Sequence, residues 1–180
     1  AIGPAGENLV RFANWINNDE RAAGRGGTGA VAGSKKLKAI VVVGTHDKMP
    51  QPKDPELWKE ADRLASATIN DPKNVTAPKK GGLSLYGTNV LMNITNVMGA
   101  LPTFNAQHTC IEGAEKISGE YIREHRLIKD NTCHACPVAC KKMVEVHING
   151  KTIRFESYEY ESAWALGAHS GHTDTDWTGY

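Results

Sequence analysis

The stretch that most constrains this chain is NTCHACPVAC, Asn131 to Cys140, where three of the four cysteines fall within eight residues as Cys133-x2-Cys136-x3-Cys140. Free thiols grouped so tightly would be an oxidation liability, so the run predicts a loop whose sulfurs face one metal centre. Iron–sulfur clusters are held by such runs; zinc also accepts closely spaced cysteines, usually as two pairs, with His able to replace one thiolate. The three-residue second gap favours the cluster, and zinc held by these cysteines with His134 or Cys110 is the alternative. Pro137 stiffens the turn, and the sulfurs are expected in one loop and the first turn of a helix. Either centre wants four protein ligands, so one must come from elsewhere. Cys110, in QHTCIEG, is expected to be a small buried residue rather than that ligand.

Composition narrows the classes further. With 180 residues there is room for one domain or two small ones, and 21 basic against 20 acidic side chains ask for neither nucleic acid nor an anionic membrane. The longest apolar run, Ala39 to Val43, is far too short to cross a bilayer. The first residues carry no basic and apolar leader, so a reducing cytoplasm is the expected compartment and metal ligands the expected use of the thiols. Opening on Ala1 and ending on Tyr180 without a closing element, the chain is expected to be part of something longer.

The pattern predicts an α+β chain in two parts. In the first, NLVRFANWI reads as a strand or short helix and KAIVVVG as a buried strand. Between them lies RAAGRGGTGAVAGSKK, with five glycines from Gly24 to Gly33. The polar, proline-bearing THDKMPQPKDPE then reads as a linker, giving expected domains 1–46 and 47–180. The second part is mainly helical. PELWKEADRLASATI carries Leu57, Ala61, Leu64 and Ala65 at helical spacing behind Pro55. LSLYGTNVLMNITNVMG and GEYIREHRL follow as further helices. After the cysteines, Val144, Val146 and Ile148 alternate towards Asn149-Gly150, a hairpin turn. ESYEYESAWALGAH then predicts a helix capped by Ser157.

Two other stretches carry possible chemistry. The glycine-rich loop leaves backbone open beside Arg25 and can approach phosphate oxygens, although it fits no familiar nucleotide fingerprint and a purely structural set of tight turns accounts for it equally. Glu156, Glu159 and Glu161 suit the first turn of a helix, and a carboxylate near a redox centre can instead move a proton. His169 and His172 admit an acid/base or metal role as well as a structural one.

Taken in order, IGPAGENLVRFA, RAAGRGGTGAVAGSKKLKAI, ISGEYI, CHACPVAC and YEYESAWALG resemble the tungsten-containing aldehyde:ferredoxin oxidoreductase family along nearly the whole chain. The resemblance implies the end of a β-rich N-terminal pterin-binding domain followed by the first part of a helical domain with a cysteine cluster and a hairpin. It implies tungsten, rarely molybdenum, held by two pyranopterins, a magnesium ion bridging their phosphates, and one [4Fe-4S] cluster. Cys133, Cys136 and Cys140 match the clustered ligands; the family's fourth cysteine, its catalytic His and its pterin motifs fall beyond Tyr180. Arg25, Gly26 and Gly27 match the phosphate-facing segment. Glu159 is the choice for the active-site carboxylate, ahead of Glu161 and Glu156. The implied partners are an aldehyde or acyl substrate, ferredoxin or another electron carrier, and further copies in an oligomer. The histidines of GAHSGHTDTDW depart from the expected run, which keeps the tungsten subunit of benzoyl-CoA reductases as an alternative. A ferredoxin-like subunit without pterin would leave Arg25 without purpose.

Overall fold

The computed structural model describes residues 1–17, 21–45 and 49–180, and divides the chain into two units, Ala1–Lys53 and Asp54–Tyr180. The expected boundary between residues 46 and 47 lies outside the described residues.

In the first unit, α1 (Pro4–Glu7) starts with proline at its first position, where no amide hydrogen is needed. Antiparallel strands β1 (Trp15–Asn17) and β2 (Arg21–Ala23) pair Trp15 with Ala23, so only the end of NLVRFANWI is extended. Helix α2 (Thr28–Ser34) follows, and Ile2, Ala13 and Ala32 are buried. KAIVVVG is not the buried strand its composition predicts. Ile40, Val41, Val42 and Val43 are 66%, 83%, 86% and 90% exposed, with no regular structure. A strand needs a neighbouring edge to take its backbone hydrogen bonds. Among the described residues none lies beside this run, whose approach ends with the Ile2 amide donating to the Lys38 carbonyl at 2.9 Å.

The second unit opens with α3 (Pro55–Asn70), capped by the Asp54 carboxylate, which accepts from the amides of Glu56 and Leu57. Its apolar stripe stays outside, with Leu57 and Trp58 exposed, so caps and ion pairs such as Arg63–Glu60 shape this helix rather than burial. The segment predicted as one long helix is broken into α4 (Gly82–Tyr86), a 3-10 turn (Thr88–Val90) and α5 (Leu91–Val97). Gly87 causes the break with φ +67°, a conformation that L side chains avoid. A Cβ there would also lie 2.9 Å from the Cys140 carbonyl oxygen. Helix α6 (Gly119–His125) is capped by Ser118, whose hydroxyl accepts from the Tyr121 amide.

An antiparallel sheet of β3 (Leu127–Asn131), β4 (Lys141–Ile148) and β5 (Lys151–Glu156) follows, with β4 central. Val144, Val146 and Ile148 are buried as the alternation predicts, and Asn149 and Gly150 both take positive φ, as a two-residue turn of matching twist requires. Beyond the sheet, a short α7 (Tyr160–Ser162) opens into a π turn (Ala163–Gly167) and a 3-10 turn (Ala168–Ser170) before α8 (Thr175–Gly179). Glu159, not Ser157, occupies the N-cap of α7. Met92, Leu101, Ala114, Ile117, Ala163 and Ala168 form a fully buried core, with Tyr158, Tyr160 and Trp164 packed on it.

Candidate metal centre and carboxylate site

The cysteines occupy the loop between β3 and β4, whose ends are tied by the Asn131–Lys141 pair of the ladder. No helix begins there, which corrects the expected helical turn: β4 starts directly after Cys140 and claims the backbone for the sheet. The Thr132 hydroxyl donates to the carbonyl of Cys136 at 2.6 Å, and the Cys136 amide donates to the carbonyl of Cys133 at 3.1 Å. Ala135 and Ala139, each preceding a cysteine, both stand at φ +53°. Alanine rarely adopts this region, and such backbone persists only where its surroundings hold it.

All three thiols are half-buried. Burial pushes the Cys140 thiol up, and the negative charges of Glu159, Cys133 and Cys136 push it the same way, which places these groups in one electrostatic neighbourhood. Among the described residues no three His, Cys, Asp or Glu side chains stand close enough to form a ready-made site for a single metal ion. Three clustered thiolates are a soft donor set of the kind that can hold an iron–sulfur group.

Cys110 is exposed, against expectation. Its loop is anchored through the buried Leu101 and Thr103, which bond to Thr109 and His108, and this register turns Cys110 outwards.

The three glutamates differ in role. Glu156 ends β5 and faces the Lys141 ammonium at 3.0 Å, with the lysine side chain 2% exposed. Glu161 is exposed in the first turn of α7. Glu159 is half-buried and accepts a 2.5 Å hydrogen bond on Oε2 from the Thr88 hydroxyl, which in turn accepts from the Tyr160 amide at 2.9 Å. The adjacent Asn89 donates to the Tyr158 carbonyl at 2.8 Å, so the 3-10 turn fixes the segment before α7 from both sides. Burial pushes the Tyr158 phenol up to about 12, keeping it protonated. A cavity of about 10 Å³, space for one water, is lined by Thr88, Asn89, Cys140, Lys142, Tyr158 and Glu159 among others. The loop that carries the thiols and the segment that carries Glu159 thus meet at one point.

Arg25, Gly26 and Gly27 belong to the first unit. Gly27, at φ +67°, is the N-cap of α2, and a Cβ there would sit 2.0 Å from the Arg11 carbonyl oxygen. Arg25 and Gly26 are exposed, and nothing lies within 4 Å of where a Gly26 Cβ would point. His169 and His172 follow the π turn, each with a buried Nδ1 that lacks a partner, and the Trp164 ring meets His169 edge-on at 5.4 Å.

Residue-by-residue reading missed Thr88 and the two lysines after Cys140. The alternation that turns Val144, Val146 and Ile148 inwards places Lys142 on the same face, which is a usable signal; Thr88 left none.

Residues 1–44 match the model of the aldehyde ferredoxin oxidoreductase N-terminal domain and residues 65–180 that of domains 2 and 3 of the same enzymes. The chain belongs to the aldehyde ferredoxin oxidoreductase family. Among particular relatives, it is 44% identical over 174 residues to the tungsten-containing aldehyde ferredoxin oxidoreductase of Thermococcus kodakarensis, covering 97% of this chain and 27% of that protein. The enzyme of the same name from Pyrococcus abyssi is 47% identical over the same shares. The WOR-like subunit of an aliphatic sulfonate oxidoreductase from Pyrococcus furiosus is 48% identical over 58 residues, 32% of this chain and 9% of the subunit. The chain spans about a quarter of the length of the first two. Among the described residues no helix is long and apolar enough to cross a membrane.

Proposed function

We propose that this chain is part of a tungstopterin oxidoreductase that converts an aldehyde and water to a carboxylic acid, two protons and two electrons, the electrons leaving through a [4Fe-4S] cluster to ferredoxin or a similar carrier. The observation that carries the reading is the meeting of the Cys140 loop with Glu159 at one cavity in a chain of this family. Cys133, Cys136 and Cys140 would hold three corners of the cluster. Arg25 and Gly26, both exposed, with the buried Gly27 setting the start of α2 behind them, would face the pterin phosphates and their magnesium. When bound, tungsten (or, more rarely, molybdenum) supplies the two-electron acceptor and the cluster a one-electron relay.

Within that frame the residues have separate tasks. Glu159 takes the proton released as water adds to the carbonyl carbon, and Thr88 holds its carboxylate on one rotamer. Tyr158, neutral at working pH, lines the same cavity without contributing charge. On this reading residues 1–46 belong to the pterin-binding domain and 47–180 to the domain of cluster and carboxylate, in an oligomeric cytoplasmic enzyme. The names of the Thermococcus and Pyrococcus abyssi relatives support an aldehyde substrate ahead of an acyl-CoA. The test is aldehyde-dependent reduction of ferredoxin by the full-length enzyme: the reading expects turnover that Glu159→Gln removes, and turnover equal to wild type in that variant would end Glu159's role.

A further inference from the structure

Lys142 lies two positions after Cys140 and its side chain is 4% exposed, yet none of the roles above uses it. Its ammonium donates to the carbonyls of Ser84 and Ala139, both at 2.8 Å, and faces Asp130 at 3.0 Å. Arg123 faces the same carboxylate at 3.1 Å. Two cations share one carboxylate, so this trio carries one net positive charge, whereas Lys141 is matched by Glu156. The Ala139 carbonyl belongs to the left-handed residue that presents Cys140, and Cys140 and Lys142 line the same cavity.

We propose that Lys142 is a positioning residue for the iron–sulfur group: its buried ammonium clamps the turn that presents Cys140, and the net positive charge it brings raises the reduction potential of the cluster. The proposal rests on Cys133, Cys136 and Cys140 being cluster ligands. Reduction adds one electron to a group already anionic from its thiolates, with no bond made or broken. A nearby positive charge out of water favours that added charge, and net charge and hydrogen bonding are the protein's main controls on cluster potential. The ammonium is buried while Asp130 is 37% exposed, so water screens the carboxylate more than the lysine.

The test is a dithionite titration of the full-length holoenzyme, followed by the paramagnetic resonance signal of the reduced cluster. Lys142→Met should lower the midpoint enough to change the reduced-to-oxidised ratio about tenfold at fixed potential, about 59 mV for one electron. Lys142→Arg should restore most of it. Asp130→Asn keeps the side chain's shape and removes a negative charge, so it should move the midpoint the opposite way, which a merely structural role would not produce. Unchanged midpoints in Lys142→Met and Asp130→Asn, with iron content intact, would overturn the proposal. If Lys142→Met loses its iron, the direction of the Asp130→Asn shift decides alone. Wild-type enzyme without an iron–sulfur signal would instead sink the reading of the cysteines, and this proposal with it.

Discussion

Thr88 and Glu159 are 71 positions apart in sequence, and the hydroxyl of the first donates to the carboxylate of the second at 2.5 Å. The same hydroxyl accepts from the Tyr160 amide, so one side chain orients the carboxylate and ties down the start of α7. Thr88→Val keeps the shape and removes both bonds. Its expected effect is a loss of about 1 to 3 kcal/mol of stability, because the half-buried Glu159 carboxylate and the Tyr160 amide both lose this partner. Turnover should fall while KM for aldehyde moves little. Thermal unfolding and steady-state kinetics on the full-length enzyme check both.

The three glutamates separate by experiment. Glu159→Gln should reduce kcat by about 10²- to 10⁴-fold, the usual worth of a positioned proton-transfer group. Glu156→Gln should instead cost stability, about 2 to 3 kcal/mol, because it removes the carboxylate facing the buried Lys141 ammonium. Glu161→Gln should change neither. A large kcat loss in Glu161→Gln would displace Glu159 from the assignment.

Gly87→Ala tests how the cysteine loop is seated. The new methyl would meet the Cys140 carbonyl at 2.9 Å on a residue at φ +67°. The expected cost is about 1 to 2 kcal/mol from the backbone conformation alone, together with lower iron content in the purified protein. Iron assay against protein concentration reads the second effect.

Acid should weaken the strand that enters the loop. Burial pushes the Asp130 carboxyl up, but the Lys142 ammonium and Arg123 guanidinium outweigh it and hold the group below the usual carboxylate range. A depressed carboxyl contributes stability above its unfolded value, about 3.9, and loses it as pH falls through the lower folded value. With the side chain 37% exposed and screened, the contribution is at most about 1 kcal/mol. Wild type should therefore be more stable than Asp130→Asn at pH 6, and the gap should close near pH 2.

What the sequence made legible was local. Asn149-Gly150 and the alternation before it marked the β4–β5 hairpin, and Pro55 with the Leu57 and Leu64 spacing marked α3, because turn chemistry and helix starts act within a few residues. Hidden features depended on distant partners. Ile40 to Val43 have strand composition but no neighbouring edge among the described residues. Gly87 breaks a helical pattern because its backbone meets Cys140 more than fifty positions away. Cys110 faces out because Leu101 and Thr103 claim the interior of its loop. Spacing singled out the three cysteines, but the contact of their loop with the Glu159 segment runs through Thr88 and Asn89, which no pattern marked.

The most direct test of the central claim is metal analysis with paramagnetic resonance on the full-length native protein. About four irons and one tungsten per chain, with the reduced-cluster signal lost in Cys136→Ser, are the predicted result. Zinc bound in place of both iron and tungsten would contradict the account.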